Sequence, residues 1–347
     1  MNLRILFLSG AFIFFIGTTC SYLHRFTSSL NPTPPTSPPE FRSDGALRLT
    51  SPPSTCSDQN PAFSPDGSRL VFTRFTNSYN HGPAALFLLD LQTGEVARLT
   101  PPEDQDNVNL PGSAWNPTND LIVFASDRLE ADDLWRITPD GSGIFRITHH
   151  AGETWYIEPS WSPDGQWIVF EARYPGKSED RTVGRIGKIR ANGSELTWLT
   201  SDPAFDDRQP NWSPTGERIL FQRRSLPDGQ WDVYTMDPDD NQLQNITSNP
   251  TSDTDASWSP DGKWIVCSSD YGDLPLPNLF AFPLSDSQPI RITSSSTHQD
   301  GAPSWSPDGR WIAFESFSIS SVNSPASLWR ISVPEIIRTL RFSPLAR

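Results

Sequence analysis

The sequence predicts an all-β chain folded as a six-bladed β-propeller of four-stranded blades, closed by the N-terminal strand in the last blade. Three observations carry this. An aromatic followed by a Ser-Pro-Asp-Gly-like turn and an apolar run recurs six times, with the aromatics at Phe63, Trp115, Trp161, Trp212, Trp258 and Trp305, spaced by 52, 46, 51, 46 and 47 residues. A second element keeps the same period and ends at Thr50, Thr100, Thr148, Thr200, Thr247 and Thr293. The series opens with a lone Thr-ended segment, Leu47–Thr50, and closes without one, so the first can complete the last and leave no sheet edge open. The 34 Pro and 13 Trp of the 347 residues agree with many short strands and tight turns.

In chain order, residues 1–20 read as a signal peptide or N-terminal membrane anchor. "MNLRILFLSGAFIFFIGTTC" has one Arg, a 12-residue apolar run, Ile5–Ile16, and then small residues. Such a run suits an export signal and falls short of the ~20 residues of a membrane span. Cys20 directly after it resembles the lipidated cysteine of a bacterial lipoprotein, although Gly17-Thr18-Thr19 departs from the Leu-small-small lead-in. Cleavage with lipidation at Cys20 and an uncleaved or otherwise cleaved segment both remain open. Residues 21–44, rich in Pro, Ser and Thr, read as a semi-extended tether.

Residues 45–333 hold the six units. In each, strand a carries the aromatic. Pro then fixes φ, Asp tolerates the next position and Gly supplies a positive φ. Strand b is the apolar run, such as Trp167–Phe170. Strand c is the pattern "LFLLD", "LWRIT", "VYTMD", "LFAFP" or "LWRIS". Strand d ends in Thr. The second unit has Asn119 where Gly is expected, a residue that tolerates left-handed backbone. The fourth has Thr215 for Asp. Residues 334–347 form a tail, read as a strand or short helix laid on the ring. The three cysteines, Cys20, Cys56 and Cys267, are too few for a disulfide framework, and Cys267 reads as a small core residue.

The pattern "PSWSPDGxxIxF", followed by "LWxI" and "RIT", resembles the propeller repeat of the TolB family, also found in tricorn-like and prolyl-oligopeptidase-like propellers. It covers Ala46 to about Ser332. The resemblance implies the fold and suggests a role in envelope binding or assembly. Two departures matter. TolB carries an α/β domain before its propeller, and only the leader and tether are read here. Prolyl-oligopeptidase relatives carry a hydrolase domain, and no Gly-x-Ser-x-Gly elbow occurs in this sequence. The chain therefore reads as a free-standing TolB-type propeller.

Function is read from loops and charge. The net charge of −14 argues against nucleic acid as a partner. The a–b turns are short and alike, whereas the d–a and b–c loops are long and irregular, which places binding on the latter face. The d–a segments hold 12 acids and one base, Arg208. Four acids fall five residues before the aromatic: Asp58, Asp207, Asp253 and Asp300. Tyr156 takes that place in blade 3 and Leu110 in blade 2. The candidate site at the channel mouth is Asp58, Asp106, Tyr156, Glu158, Asp207, Asp253 and Asp300. Such carboxylates would bind a basic segment of an envelope protein or peptide, or Ca2+ or another divalent cation through oxygens. Each Asp can equally cap its own loop. His81, His149, His150 and His298 have no metal-site spacing. No phosphate loop, paired-Cys metal site or catalytic triad is present. The expectation is a monomeric, exported binding module, periplasmic or at the cell surface, meeting the membrane only through its N-terminal segment. The rival is a metal-dependent hydrolase or lyase acting on an envelope polysaccharide or peptide at the channel mouth.

Overall fold

The computed structural model describes residues 39–339 except 81, 102–107, 110–113, 130, 151, 176–181, 240–241, 273, 286–287 and 321–323. The leader, Cys20, Asp106, Leu110, His81 and most of the tether lie outside the described residues.

The strands form six antiparallel four-stranded sheets, the six blades of a propeller. Strands a to d are Ser57–Phe63, Arg69–Phe75, Ala84–Asp90 and Val96–Arg98 in blade 1; Val108–Asn109, Ile122–Ser126, Asp133–Ile137 and Phe145–Arg146 in blade 2; and Trp155–Trp161, Trp167–Pro175, Thr182–Arg190 and Thr197–Trp198 in blade 3. Blade 4 has Phe205–Trp212, Ile219–Ser225, Asp232–Met236 and Gln244–Asn245, and blade 5 has Asp253–Trp258, Trp264–Ser269, Asn278–Pro283 and Ile290–Arg291. Blade 6 takes His298–Trp305, Trp311–Ser318 and Ser327–Ser332 from the end of the chain and Leu47–Arg48 from its beginning. The closing register pairs Leu47 with Arg330 and Arg48 with Trp329.

The repeated residues each have a mechanical reason. The Ser of the a–b turn donates to the Asp two residues on and accepts the backbone N–H that opens strand b, as Ser64 does to Asp66 at 2.6 Å and from Arg69 at 2.9 Å. The Ser64 hydroxyl and the Ser68 N–H hold the Asp66 carboxyl down at about 2. In blade 2 the turn closes differently from expectation. Asn119 stays out of the left-handed region. Instead Asn116, in the Ser position, accepts from the Thr118 and Asn119 N–H groups. Thr215 leaves the blade 4 turn intact, with Gly216 at φ 81°.

The Thr that ends each strand d closes its blade from within. Its hydroxyl accepts a strand c N–H in all six blades: Leu86 to Thr100, Leu134 to Thr148, Ile186 to Thr200, Val233 to Thr247, Leu279 to Thr293 and Leu328 to Thr50. The blades join through apolar faces. Phe72, Phe124, Phe170, Phe221 and Phe314 of strand b are fully buried, with Cys267 in their place in blade 5. Cys56 and Cys267 are both free thiols. Three of the repeat tryptophans also bond the preceding blade: the indole N–H groups of Trp115, Trp161 and Trp258 donate to the carbonyls of Ala62, Ala114 and Asn211.

The two ends of the ring are held by more than strands. Arg42 and Asp44, at the end of the segment read as a tether, sit on the propeller. Arg42 makes two bonds to Asp300, at 2.7 and 2.9 Å, and lies over the Phe314 and Trp329 rings. The tail begins with a short helix, Glu335–Thr339, whose Ile337 packs into the cluster of Trp264, Trp305 and Trp329.

Candidate functional site

Strand a carries a β-bulge in five blades, where its register against strand b breaks. The residue at the break is left-handed each time: Asn60, Glu158, Gln209, Asp255 and Ala302 have φ of 52°, 51°, 49°, 53° and 44°. None is glycine, so each position holds backbone strain. A bulge re-aims a side chain. Here all five line one central constriction, completed by Pro210, Asn211, Ala256 and Pro303. The free space there is about 30 Å³, room for little more than one water or ion. A larger ligand on this face must therefore sit outside the constriction, whereas the other end of the channel, ringed by Phe63, Trp115, Trp161, Trp212, Trp258 and Trp305, is wider, at about 440 Å³.

The residue after the strand b aromatic clasps the bulge of the next blade. Glu171 accepts the Gln209 N–H at 3.1 Å, Gln222 the Asp255 N–H at 3.4 Å, and Glu315 the Asn60 N–H at 3.0 Å. Ser268 donates to the Asp300 carbonyl at 2.7 Å. Glu171 also accepts from Arg173 at 2.6 Å, and Glu315 from the Tyr79 hydroxyl at 2.6 Å. Asp255 accepts from the Gln209 side chain and the Ala302 N–H, yet burial still raises its carboxyl above the ordinary range. A Cβ added at Gly301 would meet Asp255 Oδ2 at 3.2 Å and Glu315 Oε1 at 3.6 Å, so the two carboxylates flank this glycine.

The acids expected to ring the mouth are mostly occupied. Asp58 is fully buried and held by Arg74 at 2.5 and 2.9 Å. Asp207 is held by Arg223 at 2.6 and 2.9 Å, and Asp300 by Arg42. Asp253 is fully buried and accepts from Asn249 at 2.7 Å; burial pushes its carboxyl up to about 6. Tyr156 packs edge-on against Phe170, with ring centres 5.4 Å apart. Of the expected residues, only Glu158 reaches the constriction among those described. In blade 2 Val108 pairs with Ser126 of strand b.

Asn60, Gln209, Asp255 and Glu315 are the residues that sequence reasoning left out of the site. Their signal was present as two offsets: three residues before the aromatic, and one after the strand b Phe. The described histidines do not converge. His150 bonds Asp133 at 2.7 Å beside Arg146, and His298 lies edge-on to Trp329. Among the described residues no group of three His, Cys, Asp or Glu is arranged to hold a metal ion. No described helix is long and apolar enough to cross a membrane.

Comparison with known proteins follows the same lines. The family model described as "TolB beta propeller domain" matches residues 53–227 and 224–324. An uncharacterised protein of Agrobacterium fabrum is 28% identical over 169 residues, 48% of this chain and 51% of that protein. A protein of Chlorobium chlorochromatii, "Protein TolB homolog", is 32% identical over 111 residues, 32% of this chain and 22% of that protein. The chain thus matches about half of the first relative's length and less of the second's. Among solved structures, an oligogalacturonate lyase in complex with manganese superposes with a TM-score of 0.56 at 18% identity, covering 88% of this chain and 98% of that one. A putative TolB from Agrobacterium tumefaciens gives 0.56 at 19% identity, covering 83% and 93%. At these identities the structural matches speak for the fold alone.

Proposed function

Because the chain belongs to the TolB beta propeller family, we propose that it is an exported binding module of the cell envelope that takes a basic protein or peptide segment at the channel mouth on the d–a and b–c loop face. The observation that carries this reading is the bulge ring. Five strands accept backbone strain where Asn60, Glu158, Gln209, Asp255 and Ala302 line one constriction. The recognition differs from a simple ring of aspartates. Asp58, Asp207 and Asp300 are each held by an arginine, and the recognition is assigned instead to the bulge-ring carboxylates that line the constriction, Glu158 and Asp255. A basic side chain resting at the mouth would offset their burial cost. The net charge of −14 would favour the encounter.

A photo-crosslinking amino acid at Asn60, compared with one at Asp164 on the opposite face, tests this in native envelope preparations. The Asn60 position is expected to capture a partner that the Asp164 position does not. Capture should fall at least tenfold in Glu158→Gln/Asp255→Asn. Equal capture from both faces, or no effect of the double substitution in a folded protein, sinks the reading.

A further inference from the structure

Although the net charge is −14, cations outnumber acids at one seam of the ring. It lies on the b–c loop side, where strands b and c of blade 3 meet strands a and b of blade 4, and Gly184 is its centre. Gly184 pairs with Arg173 in the ladder and precedes Arg185, which pairs with Ala172. A Cβ on Gly184 would collide with the Asp207 carbonyl oxygen and crowd Arg208 Cγ and Glu171 Oε1, both at 3.1 Å, so only glycine lets blade 4 come this close. The Gly184 N–H donates to Asp206 at 2.8 Å. Asp206 also accepts from Arg208 at 2.9 and 2.8 Å and from Arg224 at 3.0 Å, while Glu171 accepts from Arg173 at 2.6 Å. Arg185 pairs with no carboxylate among the described residues, and its Nε has no hydrogen-bond partner there. On the blade 2 side Asp133 is already engaged by Arg146 and His150. Four guanidinium groups thus stand over two carboxylates.

We propose that this seam is a second binding site, which takes a short acidic peptide segment whose carboxylates are held by Arg185 and by the exposed parts of Arg173, Arg208 and Arg224.

Burial sets the sign of this surface. The Glu171 and Asp206 side chains have no exposed area, whereas Arg173, Arg208 and Arg224 keep 32%, 18% and 24% of theirs. An arriving ligand therefore meets cations. The guanidinium groups are also held in place by rings. Arg185 lies 3.5 Å over Trp198 and 5.5 Å from the Tyr174 ring, and Arg208 and Arg224 lie 5.2 and 4.6 Å over Trp231. Stacking fixes the plane of a guanidinium and leaves its N–H edge for a carboxylate, which it can meet with two parallel bonds. Because each of these rings already carries a cation, the seam offers forks for carboxylates rather than a platform for sugar rings. That favours an acidic peptide over an acidic glycan. Asp202 and Asp228 are exposed on flanking loops of blade 4, which confines the favourable field to the seam and suits a short segment. The site is separate from the constriction and stands whether or not a basic segment binds there.

Isothermal titration of the full chain with hexaglutamate, at fixed ionic strength, tests the site. Hexaglutamate is expected to bind and hexaserine is not. Arg185→Ala should weaken binding about tenfold, the size of one lost charge-assisted contact. This position is a clean probe, because its removal leaves no described carboxylate without its cation. Arg185→Lys, which keeps the charge without the fork, should recover only part of the affinity. Arg310→Ala, at an exposed arginine of the opposite face, should leave binding unchanged. The proposal is overturned if hexaglutamate does not bind, if a folded Arg185→Ala protein binds it as well as before, or if Arg185→Lys restores it in full. It is also overturned if Arg310→Ala weakens binding as much as Arg185→Ala, or if hexagalacturonate binds as tightly, which would assign the seam to an acidic glycan.

Discussion

Asp207 and Arg223 show what a repeated carboxylate does in this protein. They face each other across strands a and b of blade 4, bonded at 2.6 and 2.9 Å, with the guanidinium 4.5 Å over the Phe205 ring. Both are buried, and removing one partner of such a pair leaves an uncompensated charge out of water. Asp207→Ala is expected to cost about 3–5 kcal/mol, measured by urea unfolding. An apolar pair of similar volume at both positions should recover most of that loss. The repetition of Asp58, Asp207 and Asp300 was plain in the sequence, and so was the option that each serves its own fold. What the pattern hid was the partner. Arg74 and Arg223 each lie 16 residues after their acid, close enough to be found by pairing strands a and b. Arg42 lies 258 residues before Asp300, and no local pattern connects them.

Among the elements, strand d is the smallest and the easiest to explain. It is two or three residues long and pairs with strand c alone, so it needs a fastening beyond its ladder. The Thr hydroxyl supplies one by accepting a buried strand c N–H. Thr293→Val would keep the shape and orphan the Leu279 N–H, an expected loss of about 1–3 kcal/mol in chemical denaturation. Strand a behaves in the opposite way, because its bulge stores strain. Ala302 is the simplest instance, an alanine at φ 44° with no polar group to reward it. Ala302→Gly is expected to stabilise the protein by about 1 kcal/mol, seen as a higher melting temperature. If stability fell instead, the bulge would not be strained at that position. Strand order and turn chemistry were legible because Pro, Gly and the aromatics act locally. The bulge was not, since its left-handed residue is a different amino acid in each of the five blades and none is glycine. In blades 1, 4 and 5 its N–H is clasped by Glu315, Glu171 and Gln222, and these residues read in sequence as polar interruptions at the end of an apolar run.

For the molecule as a whole, closure depends on residues from both ends of the repeat array. Leu47 and Arg48 complete blade 6, and Arg42 carries the counter-charge for Asp300. Arg42→Ala should therefore lower global stability by about 3–5 kcal/mol, because Asp300 has no exposed side-chain surface. In hydrogen exchange the loss should appear first in blade 6, and an even loss across all blades would show that the ring does not open there. The same arrangement sets a schedule for biosynthesis. Arg48 and its hydrogen-bond partner Ser327 are 279 residues apart. At a translation rate of 5–20 residues per second, the first strand waits roughly 15 to 55 seconds for the last to be made. During that interval it is a bare edge able to pair with the wrong chain. Keeping it to two residues limits how much ladder a mistaken partner could gain, so the brevity of Leu47–Arg48 protects the newborn chain as much as it serves the finished ring.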